Sequence, residues 1–207
     1  MIGTRAAIVL GLLATALPFA QQPSPSAAPG FDAGQYAHDT YSNECLGFSF
    51  RMPAGWLAKS QGISGLARAI HQQGGGLGLL MIEQPKQGTF GNTITLYATP
   101  VSDQNPDARK FVSHAVQAQT KRAPDKNEVL RDTSAVEYGG KNFFRSDYKI
   151  KLPYGPDAYR SLVFTRFRNY FIGEMVNAGS QEELDHAVDS LKGISFRDDT
   201  PNSSCVK

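Results

Sequence analysis

The sequence predicts an α+β domain, an antiparallel and largely meander β-sheet flanked by helices. Three observations carry this. Between residues 48 and 177, short segments rich in β-branched and aromatic residues alternate apolar with polar and are separated by turn residues. Midway, from Asn105 to about Thr120, the apolar spacing becomes helical. After Ser180 the chain opens a second helix with a capping box and an apolar stripe.

Taken in chain order, residues 1–20 read as a secretory signal peptide. Arg5 precedes an apolar run from Ala6 to Leu17 that leads to the small residue Ala20. The run is shorter than the roughly 20 apolar residues of a membrane-spanning helix, and Pro18 ends it. Cleavage is expected after Ala20; Ala14-Thr15-Ala16 matches a processing site better but would leave Leu17 and Phe19 on the mature chain. No cysteine immediately follows either site, which argues against a lipoprotein anchor. Residues 21–35, with Pro23, Pro25 and Pro29 among Ser, Ala and Gly, read as a disordered tether, and residues 36–207 as a single domain. The expected location is exported, periplasmic or extracellular, with no transmembrane span in the mature chain.

The domain's strands follow. Phe48–Met52 alternates, and Pro53-Ala54-Gly55 turns the chain before Trp56, expected to anchor the core. Ala67–Glu83 reads as a hairpin turning at Gly74-Gly75-Gly76, with Leu77–Ile82 as its buried arm. Thr93–Val101 is rich in β-branched residues. In the helix that follows, opened by Asn105-Pro106, the residues Ala108, Phe111, Val112, Ala115 and Ala118 recur on one face. Glu128–Tyr138 and Lys141–Lys151 are joined by Gly139-Gly140, a pair suited to a tight turn with positive φ. Along the second of these strands, Phe144, Tyr148, Ile150 and Leu152 share one face; Arg145, Asp147, Lys149 and Lys151 share the other, expected to be wet. Tyr159–Arg168 and Tyr170–Asn177 form another pair. In the last helix Ser180 caps Glu183, while Leu184, Ala187, Val188 and Leu191 face the sheet. Gly193 ends it before Ile194 and Phe196 return over the core.

The two cysteines, Cys45 and Cys205, lie near the two ends of the domain. An even count in an exported chain favours a disulfide between them. Closing a loop of about 160 residues stabilises by on the order of 5 kcal/mol in the chain-entropy picture, an upper figure. Charge excludes other classes. Removing Arg5 from the 21 basic residues leaves 20 against 19 acidic, without the basic excess of nucleic-acid binders.

No motif for catalysis, metal or cofactor emerges, so no cofactor is expected. Gly62-Ile63-Ser64-Gly65 places its second glycine one residue early for a nucleophile elbow. Gly74-Gly75-Gly76-Leu77-Gly78 lacks the third glycine of a dinucleotide fingerprint and the Lys-Ser/Thr of a P-loop. His38, His71, His114 and His186 have no histidine partner at metal-ligand spacing. Glu182-Glu183 caps a helix, Asp198-Asp199 lies in a polar tail, and Asn202-Ser203-Ser204 is a formal glycosylation sequon.

Two stretches resemble the PsbP-like α/β/α sandwich superfamily. One is Tyr41-Ser42-Asn43, Leu46-Gly47-Phe48-Ser49-Phe50 and Pro53-Ala54-Gly55-Trp56. The other joins Ser180, Glu183, Leu184, Ala187, Ser190, Leu191, Ile194, Ser195 and Phe196. The resemblance spans about residues 41–196. Its members include the extrinsic photosystem II protein, a nuclear-transport factor that binds the GTPase Ran, and exported bacterial proteins. They share a rigid sheet surface offered to a partner protein and no common active site. The resemblance implies a non-enzymatic binding module; neither family partner transfers to an exported chain, and with export expected the partner is expected to be an envelope or secreted protein.

One surface is the candidate site. Arg145, Lys149 and Lys151 on one strand, and Arg160, Arg166 and Arg168 on another, would form a basic patch interleaved with Tyr154 and Tyr159 if the two faces coincide. It would suit an acidic protein or another anionic partner. The alternative function is a small-ligand or lipid carrier, with an apolar groove between sheet and helix walled by Phe143, Tyr154 and Tyr159.

Overall fold

The computed structural model describes residues 34–59, 77–86 and 91–197. Two antiparallel sheets and two helices make up this part. The small sheet has the order β1-β2-β3-β11 and comprises Gln35–Ala37, Thr40–Asn43, Phe48–Arg51 and Ile194–Phe196. The large sheet has the order β4-β5-β6-β10-β9-β8-β7. Its strands are β4 Leu57–Ala58, β5 Leu77–Gln84, β6 Asn92–Pro100, β7 Asn127–Tyr138, β8 Lys141–Ile150, β9 Ala158–Phe167 and β10 Tyr170–Ala178. The helices are α1 Ala108–Arg122 and α2 Gln181–Val188, the latter continuing as a 3-10 turn, Asp189–Gly193.

The expected meander is real but split. β7 to β10 form an uninterrupted run, β4 to β6 another, and α1 carries the chain from β6 across three strands to the far edge at β7. The second sheet was not expected. It arises because Ile194 and Phe196 do more than return over the core: they pair with Phe50 and Phe48, joining the chain's end to its beginning.

Local chemistry explains the turns and helix ends. Gly139 and Gly140 both have positive φ, at 56° and 71°, as the β7–β8 hairpin needs. Helix α1 starts one step later than Asn105-Pro106: Asp107 is its N-cap and accepts from the Lys110 amide at 2.8 Å. Its buried stripe is Ala108, Val112 and Val116, with Phe111 and Ala115 half-buried beside it, and Ala118 faces solvent. Helix α2 is capped as its sequence demands. Ser180 Oγ accepts from the Glu183 amide at 3.2 Å, while the Glu183 carboxylate reaches back to the Gly179 amide and also pairs with Lys86.

The two faces of the large sheet are covered by different elements. Helix α1 lies on the face carrying Tyr97, Tyr148, Leu162, Phe164 and Phe171. Helix α2 and the small sheet cover the other, where Trp56, Ile94, Leu96, Phe143, Val163 and Leu184 form the larger core with Tyr41 and Phe50. Both faces of the central strands are therefore dry. The wet face expected along β8 is the main correction: Arg145 is 5% exposed and Asp147 0%. Strand length cannot reveal this, because an alternating strand with polar residues on one side is normally half-wet.

The hairpin arm and turn at residues 67–76 lie outside the described residues. So do Gly62–Gly65, His71, residues 1–33, Asp198-Asp199, Asn202 and Cys205.

Candidate functional site

The register of β8 with β9 decides the fate of the basic patch. Tyr148 stands opposite Arg160, Lys149 opposite Tyr159 and Arg145 opposite Val163. Opposite residues share a face. Arg145 and Lys149 therefore lie on the α2 side, while Arg160 and Arg166 lie on the α1 side, and the two basic rows do not coincide.

All of these basic residues but Lys151 have local partners for their side chains among the described residues. Arg160 donates to Asn177 Oδ1 and lies over the Tyr148 ring. Arg166 donates to the Pro106 carbonyl at 2.7 Å, fixing the start of α1. Arg168, in the β9–β10 turn with φ 55°, reaches the carbonyls of Cys45 and Arg197 and stacks on Phe167. Gly47 lies beneath it with φ 73°, the left-handed conformation that favours glycine, and a Cβ there would press on the guanidinium. Lys149 pairs with Glu128 at 3.0 Å, and that pairing raises its pKa while lowering that of Glu128. Lys151 follows the end of β8 and is exposed. Tyr159 is half-buried, and Tyr154 is 91% exposed on the β8–β9 loop. Phe143 is fully buried, so Phe143, Tyr154 and Tyr159 line no common groove.

In place of a basic face, the α2 side holds a closed ionic network. Arg145 Nε donates to Asp147 Oδ1 at 2.8 Å, and its Nη2 donates to Asp147 Oδ2 at 2.9 Å and to Asp185 Oδ1 at 2.5 Å. Arg131 from β7 completes it, with Nε 2.9 Å from Asp147 Oδ2 and Nη2 3.5 Å from Asp185. Burial works against the Arg145 charge, but the two aspartates outweigh it and raise its pKa. Glu174, on central strand β10 and fully buried, is the counter-case. Burial pushes its pKa well above the usual range; the Ser190 hydroxyl donates to one oxygen at 3.4 Å, and Oε1 finds no partner among the described residues.

The open part of the large sheet is its edge. Strand β7 is twelve residues long, and most of it is exposed. Its pairing with β8 slips twice, between Val129 and Arg131 and between Arg131 and Ser134. Such bulges bend a strand and re-aim its side chains. The result is a cleft on each side of β7. One, about 460 Å³, lies under α1 and is lined by Lys110, His114, Gln117, Val129, Asp132 and Ser146. The other, about 380 Å³, lies towards α2 and is lined by Leu130, Arg131, Asp147, Tyr159, Gln181 and Asp185. Val129 and Leu130 are exposed between them. In the first cleft Ser146 donates to the Arg131 carbonyl and His114 pairs with Asn105 Oδ1, so each is held by a partner other than the other.

Sequence reasoning passed over this edge. A signal was present in Val129-Leu130-Arg131-Asp132, two apolar residues followed by two charged ones, which breaks a period-2 pattern where a bulge does.

The fold is the PsbP-like sandwich. The solution structure of cyanobacterial PsbP from Synechocystis matches with a TM-score of 0.52 over 85% of this chain and 100% of that one, at 11% identity. A looser likeness, at a TM-score of 0.46 and 10% identity, covers 78% of this chain and 94% of the Ran-binding protein Mog1p of Saccharomyces cerevisiae. No protein-family model matches the chain, and no curated protein matches it by sequence.

Proposed function

We propose that the chain is an exported, non-enzymatic binding module that engages a protein partner of the envelope or medium through the β7 edge of its large sheet. The observation that carries this is a long exposed strand with a cleft on each side. An extended partner segment laid along β7 would gain main-chain hydrogen bonds and place alternate side chains over the two clefts. Their charged linings favour a polar peptide over the apolar cargo of a carrier. The ionic network behind Arg131 supports a fixed geometry, as a recognition surface requires.

The same reading takes residues 1–20 as a cleaved signal, the stretch ahead of β1 as a tether that ends before Gln35, one residue earlier than expected, and Cys45–Cys205 as a disulfide. Support for the bond comes from the chain's two ends: the Arg197 amide donates to the Gly47 carbonyl at 2.8 Å, and Arg168 bridges the Cys45 and Arg197 carbonyls. Cys45→Ser and Cys205→Ser should lower the melting temperature equally under oxidising conditions; unequal losses would sink the pairing.

A photo-crosslinking residue placed at Leu130 in the exporting host tests the surface, with Glu182 on the exposed side of α2 as control. The proposal expects one discrete adduct from position 130 and none from position 182. Equal labelling at both, or none at 130, would overturn it.

A further inference from the structure

The end of the domain opposite the β7–β8 turn carries a feature that the binding edge does not use. Between β8 and β9 the chain runs Lys151-Leu152-Pro153-Tyr154-Gly155-Pro156. Leu152 is 46% exposed and Tyr154 91%, the largest exposure of any large apolar side chain among the described residues. Two prolines fix this loop, and Gly155 supplies the positive φ of 91° that turns it. Little conformational entropy is then left to lose when the two side chains are buried.

Their surroundings are basic. The Lys151 amide donates to the Lys126 carbonyl at 2.7 Å, and the Asn127 side chain donates to the Gln119 carbonyl at 2.8 Å. These bonds hold the loop beside the α1–β7 connection and the last turn of α1, which carries Lys121 and Arg122. Lys121, Arg122, Lys126 and Lys151 are exposed, and none forms an ion pair among the described residues. The acidic residues in the two stretches joined here, 121–128 and 149–157, are Asp125, Glu128 and Asp157, and Lys149 lies against the last two; the acidic first turn of α2, Glu182 and Glu183, opens beyond β10 at the same end of the sheet. Within those two stretches five basic groups stand against three acidic.

We propose that this end docks the domain on an anionic lipid bilayer, with Leu152 and Tyr154 entering the headgroup region and Lys121, Arg122, Lys126 and Lys151 facing the lipid phosphates. An amphipathic ring is at home at that depth, and an adjacent aliphatic residue adds apolar burial. Each lysine or arginine near such a surface strengthens binding about fivefold. Here the aromatic stands at the tip of a turn with charge set around its base. Docking in this way leaves β7 open along the flank, so the two surfaces are separable.

The test is binding of the processed chain, isolated from its host, to vesicles of phosphatidylglycerol mixed with phosphatidylcholine and to phosphatidylcholine alone. Tyr154→Trp reports depth at the loop itself, against the constant background of buried Trp56. The proposal expects binding to the anionic vesicles only, weakened by salt, and a blue shift of the indole emission from position 154. Leu152→Ser with Tyr154→Ser should weaken binding about tenfold, a part of what burying two such side chains supplies. Lys151→Glu should weaken it at least fivefold. Unchanged crosslinking from Leu130 in the serine variant would show that the edge works independently. No vesicle binding, equal binding to both compositions, or binding without a shift at position 154 would each overturn the proposal.

Discussion

On the α1 side of the large sheet, Phe111 stacks on Phe171 at 4.6 Å and meets Phe164 edge-on at 5.1 Å, so the centre of that side is held by aromatic packing. On the α2 side, Arg145, Asp147 and Glu174 lie at the same depth as Phe143 and Val163. One side is held by apolar area and the other partly by charge pairing. The difference teaches that a polar row on a strand has two physical fates. It is solvated, or it is buried with every charge answered; residue types along the strand do not distinguish the two.

The two sides should break differently. The largest loss is expected from Asp147→Ala, which leaves Arg145 buried with only the half-exposed Asp185: about 3–5 kcal/mol, read from chemical denaturation. Phe171→Ala should cost a similar 3–5 kcal/mol through its cavity, but Phe171→Leu only about 1 kcal/mol. A neutral isostere, Asp147→Asn, should recover far less of the loss than Phe171→Leu does. Comparable recovery on both sides would remove the distinction.

Glu174 sharpens the contrast, because it is charge-capable and incompletely answered. Its pKa is raised in the folded chain by burial, against weaker opposing help from Ser190 and Arg145. As pH climbs above the ordinary carboxyl value of 4.5, the unfolded chain gives up its proton while the folded chain keeps it. This group's contribution is therefore full at acid pH and is lost as pH rises towards the folded pKa. Glu174→Gln should raise stability at pH 7, with a gain that fades below about pH 4.5. A gain independent of pH would contradict an uncharged Glu174.

The smallest effect belongs to the surface. Ser180→Ala should cost about 1 kcal/mol by removing the N-cap of α2, and an unchanged denaturation midpoint would count against that cap.

Much of the fold was legible because its signals are local. The Ser180–Glu183 box, Gly139-Gly140, the core position of Trp56 and the stripe of α2 are each set by residues a few positions apart. The second sheet was not legible, since Ile194 and Phe196 choose Phe50 and Phe48 across the whole chain. The site failed for the same reason. Whether Arg145 joins Arg160 depends on the β8–β9 register and on what covers each side. Helix α2 supplies Asp185 from far along the chain, and that partner makes burial of Arg145 affordable.

The most direct measurement is a double-mutant cycle on Arg145→Met and Asp147→Leu, because the account rests on these two charges being buried against each other. Each single change should cost several kcal/mol and the pair much less than their sum, with a coupling of about 2–3 kcal/mol. Additive losses within about 0.5 kcal/mol would mean that the two side chains stand apart in water, and that the row along β8 is the wet face its sequence suggests.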